Sequence, residues 1–253
     1  MSPSYRAGAR FRNRGLLARM SDLVWPPRSL LSNAIVERPG AIEPALWTQL
    51  RFLTDPLCFR CGFPLPDDPG GEAVCGACAA DPPAFDRARA ALAYDDHARR
   101  LVLDLKRGGR RDGLPVFAAW MRVAAAPLLE EIDLIAPAPM HWTKLAQRSF
   151  NQAAWLAQAL ARAAGKPWAP EALERFKRRR SQAGLSASER RRNVGGAIRA
   201  RGRLAGKGVL VVDDVLTTGA TAQACARALR KAGARRVHVT TLARVVRPLD
   251  VLI

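Results

Sequence analysis

The stretch VLVVDDVLTTGAT, residues 209–221, limits the possible folds of this chain more than any other. Four apolar residues read as a buried strand and two adjacent acids close it. A loop of small, hydroxylated residues around one glycine then enters the helical pattern TAQACARALRKAG. Strand, tight turn and helix in that order belong to a parallel sheet with crossover helices, and such sheets bind ligands at the carboxyl ends of their strands.

The residue types at that strand end narrow the ligand. Unpaired amides at the start of the helix, Gly219 for close backbone approach and the hydroxyls of Thr217, Thr218 and Thr221 together make a phosphate cradle. The loop has no lysine and lacks the GxxxxGK[ST] spacing, so it does not hold a triphosphate in the P-loop manner. Asp213 and Asp214 would repel a phosphate unless they accept hydroxyl hydrogen bonds or act with a divalent cation. A phosphorylated ribose with a magnesium-bound group satisfies all three demands. The competing reading is an acid-rich strand end of the receiver type, whose paired acids normally lie near the beginning of a domain.

The surrounding pattern supports an α/β domain over residues 84–253. RARAALAYDD, DLIAPAP, GVLVVDD and RVHVTTLAR read as strands. ARRLVLDLKRGG, LPVFAAWMRVAAAPLLEEI, NQAAWLAQALARAAG and residues 220–232 read as helices, with Gly165 and Gly233 closing the last two. The expected architecture is a mostly parallel sheet flanked by helices.

Residues 53–83 cannot build a conventional core, because four cysteines, six prolines and a GG turn dominate them. Cys58, Cys61, Cys75 and Cys78 form two CxxC pairs, a spacing that suits tetrahedral zinc, whose binding energy would replace the missing core. A redox dithiol is the alternative. A closed four-thiolate site leaves no open position, so this zinc would be structural. Upstream, PRSLLSN (27–33) can be laid over PLCFRCG (56–62), placing Ser29 and Ser32 where Cys58 and Cys61 stand. Residues 1–52 are therefore either a disordered basic region or contain a degenerate ribbon half, unless the overlay is coincidence. Cys225, in the last helical pattern, reads as a small packed hydrophobe.

The formal charge is +19, with arginine clusters RFKRRR (175–180) and ERRRN (189–193). Such a field attracts polyanions without naming one, and solvated basic faces would produce the same count. Few aromatics lie among the clusters, so no base-stacking platform is visible. No run approaches the roughly 18 apolar residues of a membrane span, and the Arg-rich first twenty residues lack the apolar centre of a secretory signal. A cytoplasmic protein is the expectation.

The opening stretch closely resembles the signature for 5-phosphoribosyl 1-pyrophosphate (PRPP) in type I phosphoribosyltransferases. From about Pro56 to Arg244 the chain further resembles the ComF family, the competence-associated branch of that superfamily. The likeness rests on CFRCGFPL with CGAC, AYDDHARRLVLDLKRGGRRD, DLIAPAPMHWTKLAQRSFNQAAWLAQALA, RSQAGLSASERRRNVGGAI and the PRPP loop. It implies a type I phosphoribosyltransferase-like domain preceded by a four-cysteine zinc ribbon. It also implies Mg²⁺-dependent transfer to an unidentified acceptor, or a non-catalytic protein binding single-stranded DNA or competence and helicase partners.

By that resemblance Asp213 and Asp214 bind the ribose hydroxyls, directly or through Mg²⁺, and act in catalysis. Val215, Leu216, Thr217, Thr218, Gly219, Ala220 and Thr221 complete the PRPP loop. APAPMHW occupies the place of the pyrophosphate loop, with His141 beside it. Arg148, Asn151 and Gln152 stand in the family's RGFNQ pattern, although Ser149 replaces its glycine, and Lys144 stands where arginine is common. Arg180, Gln182, Arg190 and Asn193 fall in a stretch corresponding to a mobile hood. Lys106 is either a substrate contact or part of a solvated surface. His97 and His238 read as structural.

Overall fold

The computed structural model of the chain describes residues 26–32, 34–68, 70–107, 111–140, 150–175 and 198–246. Helices α1 (Pro44–Trp47) and α2 (Gly76–Ala80) precede strand β1 (Arg87–Ala93), helix α3 (Asp96–Lys106), helices α4 (Leu114–Ala124) and α5 (Ala126–Leu129), and strand β2 (Leu134–Pro137). Helix α6 (Gln152–Ala164), strands β3 (Leu173–Arg175), β4 (Ile198–Ala200) and β5 (Gly208–Leu216), helix α7 (Ala220–Lys231) and strand β6 (Arg236–Arg244) complete the order.

Strands β1, β6, β5 and β2 form one sheet in that order, every neighbouring pair parallel. The sheet is covered on both faces, which is why its central strands are nearly all apolar. Successive residues of β5 serve opposite layers. Leu210 and Val212 pack with Leu101, Leu105, Phe117, Met121, Leu156 and Leu160, whereas Val209 and Val211 pack with Ala222, Cys225 and Leu229 of α7. Cys225 is fully buried there, as a packed hydrophobe should be.

Local signals set most element ends. Asp95 caps α3 by accepting from the Ala98 amide at 2.9 Å, and Gly165 ends α6 at φ +64°. The long helix expected over residues 114–132 is instead two, divided at Ala125. Pro127 has no amide to continue the first helix and its ring crowds the preceding turn. Strand β5 runs two residues past the acids, because β6 goes on pairing with it through Leu216↔Arg244. The short antiparallel pair β3–β4 was not legible in the sequence, and Glu174 of β3 pairs there with Arg199 and Arg201.

The cysteine segment docks on the sheet. Buried Arg89 of β1 donates to the carbonyls of Cys58 (3.4 Å) and Phe59 (3.1 Å), while Arg244 of β6 donates to the Cys61 carbonyl and lies over the Phe63 ring. Residues 51–53 cover the free edge of β1: Leu53 N donates to Ala91 O at 3.0 Å and Ala93 N to Arg51 O at 2.8 Å. Further upstream Leu30, Leu31 and Leu50 join the core with Phe117 and Trp120. Among the described residues no helix is long and apolar enough to cross a membrane.

Candidate functional site

A crevice opens where β2 stops and β5 continues. Their pairing ends at Pro137↔Val212, after which the Ala138 amide makes one last bond to Val212 O at 2.8 Å. Asp213 and Asp214 are the first β5 residues beyond that shelter.

The two acids differ in surroundings. Asp214 is 6 % exposed, and its Oδ2 receives both Lys106 Nζ at 3.2 Å and the Gln152 side-chain amide at 2.8 Å. Asp213 accepts from the Asp214 amide through Oδ1 at 2.9 Å. It keeps partial solvent contact, yet burial, and then the charge of Asp214, push its carboxyl up to about 7 despite the opposing pull of Lys106 and Arg175. One acid is thus already compensated, while the other holds its proton near neutrality.

Beyond Leu216 the chain turns through Thr217, Thr218 and Gly219 into α7. Gly219 sits at φ +73°, and the start of α7 has no side-chain cap, so its first amides are left for a ligand. A cavity of about 60 Å³ lies against this turn, lined by Asp213 and Val215 through Ala222. A second, of about 180 Å³, is lined by Lys106, Met140, Asn151, Gln152, Arg175 and both acids. The two share Ala138, Asp213 and Thr221, so one ligand can occupy both. The first offers amides and hydroxyls to an anion, and the second adds two cations.

The structure therefore brings together Lys106, Asn151, Gln152, Asp213, Asp214 and the loop to Thr221. Lys106 lines the second cavity and its ammonium group pairs with Asp214. Asn151 lines the second cavity, but its side chain caps α6 through the Ala153 amide (3.0 Å) and donates to Ala138 O (3.1 Å). Gln152 orients Asp214. His141, Lys144, Arg148, Ser149, Arg180, Gln182, Arg190 and Asn193 lie outside the described residues. Sequence reasoning missed Arg175, which it counted only as the first residue of a basic run. His238 is buried at the opposite end of the sheet, 3.7 Å from Glu131, and burial lowers its pKa.

The cysteine cluster fits a tetrahedral ion. The four Sγ atoms lie within 4.8 Å of one another and Cys61 Sγ is 3.7 Å from Cys75 Sγ. Zinc–sulfur bonds of about 2.3 Å require an edge of about 3.8 Å. The amides of Cys61 (3.5 Å) and Cys75 (3.3 Å) donate to Cys58 Sγ, as they would to a metal-bound thiolate.

Comparison with known proteins agrees with both parts. Residues 150–248 match the phosphoribosyl transferase domain model, and residues 20–79 match the double zinc ribbon domain model. The chain is 31% identical over 198 residues to the DNA utilization protein YhgH of Escherichia coli O157:H7, covering 75% of this chain and 85% of that protein. It is 35% identical over 115 residues to competence protein F of Haemophilus influenzae, covering 44% of this chain and 50% of that one. Among solved structures, orotate phosphoribosyltransferase from Aeropyrum pernix superposes with a TM-score of 0.35 at 18% identity, over 60% of this chain and 66% of that chain.

Proposed function

Because the chain belongs to the ComF family, which joins a zinc ribbon to a phosphoribosyltransferase-type domain, we propose that it binds PRPP and transfers its phosphoribosyl group to an acceptor with the help of Mg²⁺. The observation that carries this reading is the pair of joined cavities meeting at Asp213 and Thr221. The 5-phosphate would sit on the α7 amides and the hydroxyls of Thr217, Thr218 and Thr221. The ribose hydroxyls would donate to the carboxylates of Asp213 and Asp214, and the pyrophosphate would extend toward Lys106 and Arg175.

The donor set at the strand end fits a hard divalent ion, with Asp213 the better placed because the Oδ2 of Asp214 already has two partners. When bound, Mg²⁺ would offset charge on the departing pyrophosphate. The protein's own residues hold the sugar and orient the anomeric carbon, while Lys106 and Arg175 offset charge as the C1–oxygen bond breaks. With Asp213 and Asp214 engaged by the ribose hydroxyls, positioning would activate the acceptor.

The test is thermal unfolding of the zinc-loaded protein with PRPP and Mg²⁺, against ribose 5-phosphate and the variant Asp213→Asn with Asp214→Asn. Ligand at about 100 times its Kd adds about 2.7 kcal/mol to the native state. A magnesium-dependent shift absent from the variant supports the reading, and no shift overturns it.

The +19 charge, together with the names of the relatives, favours a second role at DNA. Single-stranded DNA would bind the basic surface, and its affinity would fall steeply with salt as counterions are released. The double Asp→Asn variant should retain that binding if the two sites are separate.

A further inference from the structure

The segment around Ser29 and the cysteine segment follow one hydrogen-bonded plan. Ser29 N donates to Ala34 O at 2.9 Å as Cys58 N donates to Phe63 O at 2.7 Å. Val36 N donates to Pro27 O at 2.9 Å as Leu65 N donates to Pro56 O at 3.0 Å. Leu30 N donates to Ala41 O at 3.0 Å as Phe59 N donates to Ala73 O at 2.7 Å. The antiparallel bridge Arg28↔Ile35 matches Leu57↔Pro64.

The second half of each knuckle corresponds as well. Glu43 heads α1 in an extended conformation (φ −61°, ψ 144°), and Cys75 heads α2 in the same way (φ −69°, ψ 159°). Trp47 N closes onto Glu43 O at 2.8 Å, and Ala79 N onto Cys75 O at 3.0 Å. The four cysteines thus correspond to Ser29, Ser32, Glu43 and Leu46. Even the amide bond to the first ligand position is kept: Ser32 N donates to Ser29 Oγ at 3.3 Å, as Cys61 N does to Cys58 Sγ at 3.5 Å.

Those four side chains are no zinc set. Two neutral hydroxyls and one carboxylate are weak substitutes for thiolates, and Leu46 offers no donor. Ser29 and Ser32 instead donate to the two oxygens of Glu43, Ser29 to Oε2 and Ser32 to Oε1. The bond from Ser29, then that from Ser32, holds the Glu43 carboxyl below its ordinary range. We infer that residues 27–32 and 34–50 are a metal-free copy of the zinc knuckle pair, closed by a Ser29–Glu43–Ser32 hydrogen-bond clamp where the ion would sit. The chain then carries one zinc, although the double-ribbon match spans both halves.

Packing explains why this half can do without metal. Leu30, Leu31 and Leu50 are buried in the main core, with Leu46 packed against them, so apolar burial stabilises what the ion would otherwise hold. Among the described residues, the cysteine half has only Phe63 buried beside its thiols. Metal dependence therefore remains where no core is available.

Metal analysis of the full chain, loaded with zinc and dialysed, tests the inference. The wild type should hold one ion per chain, and two would overturn the proposal. Cys58→Ser with Cys61→Ser should hold none; zinc retained in that variant would place an ion in the serine half and also overturn it. Replacing Ser29, Ser32, Glu43 and Leu46 together by cysteine should add one ion, with a doubled thiolate-to-cobalt absorption after Co²⁺ exchange. A folded quadruple variant without the extra ion would show that the two halves are not copies. Should that variant fail to fold, Glu43→Gln decides: zinc content unchanged from wild type supports the clamp, and a drop would make Glu43 a ligand.

Discussion

Lys106 Nζ lies 3.2 Å from Asp214 Oδ2, an oxygen that also accepts the Gln152 amide at 2.8 Å. The last turn of α3 and the first turn of α6 thus converge on one acid of β5 before any ligand arrives. Replacing Lys106 by Met removes the cation and leaves the buried carboxylate, among the described residues, with the neutral Gln152 amide as its side-chain partner. The Lys106 side chain is 26% exposed, so the loss should be about 1–2 kcal/mol at pH 8, below the full cost of breaking a buried pair. Urea unfolding measures it; a change below about 0.5 kcal/mol would return Lys106 to the solvated surface.

Asp213 makes stability depend on pH in a defined direction. Its carboxyl ionises near 7 in the folded chain against 3.8 as its ordinary value, so the folded state binds the proton more tightly. Stability contributed by that proton is present below about 4 and is lost as pH rises through 7. Asp213→Asn should flatten this dependence in denaturant titrations at pH 5 and pH 8. If ligand binds the ionised form, PRPP affinity should fall about tenfold from pH 8 to pH 6, read by calorimetry.

Gly219→Ala tests the turn. Its Cβ would meet nothing nearer than Leu216 Cδ1 at 3.9 Å, so space is not limiting and the backbone at φ +73° is. The cost should be about 1–2 kcal/mol, visible as a lower Tm. A larger proportional loss of the PRPP-induced shift would follow if the turn relaxes away from the phosphate position.

Zinc removal should act locally. With Phe63 the only buried apolar neighbour of the thiols among the described residues, chelation or Cys58→Ser should open residues 56–68 and 70–80 while the four-stranded sheet stays folded. Limited proteolysis with mass spectrometry should find new cuts in that segment, and the PRPP-dependent thermal shift should persist. Global unfolding on chelation would make the ribbon integral to the sheet.

What the linear sequence determined is whatever a strand or a helical turn encodes within itself. The continuous apolar run of β5, the hydroxylated turn to α7, the Gly165 cap and the spacing of the four cysteines were legible because each signal lies among neighbours in the chain. Burial on both sheet faces makes such runs distinctive, and capping and chelation act over a few residues. Only the tertiary structure decided how distant residues meet. Lys106 and Gln152 share an oxygen of Asp214, Arg175 turns from a basic run into the second cavity, Asn151 is spent on a cap, and Glu43 closes on Ser29 and Ser32. No periodicity marks a lysine that will face an acid across the sheet's end. That choice is made by how α3, α6 and β5 pack, and the cost of leaving a buried carboxylate unpaired then selects the partner.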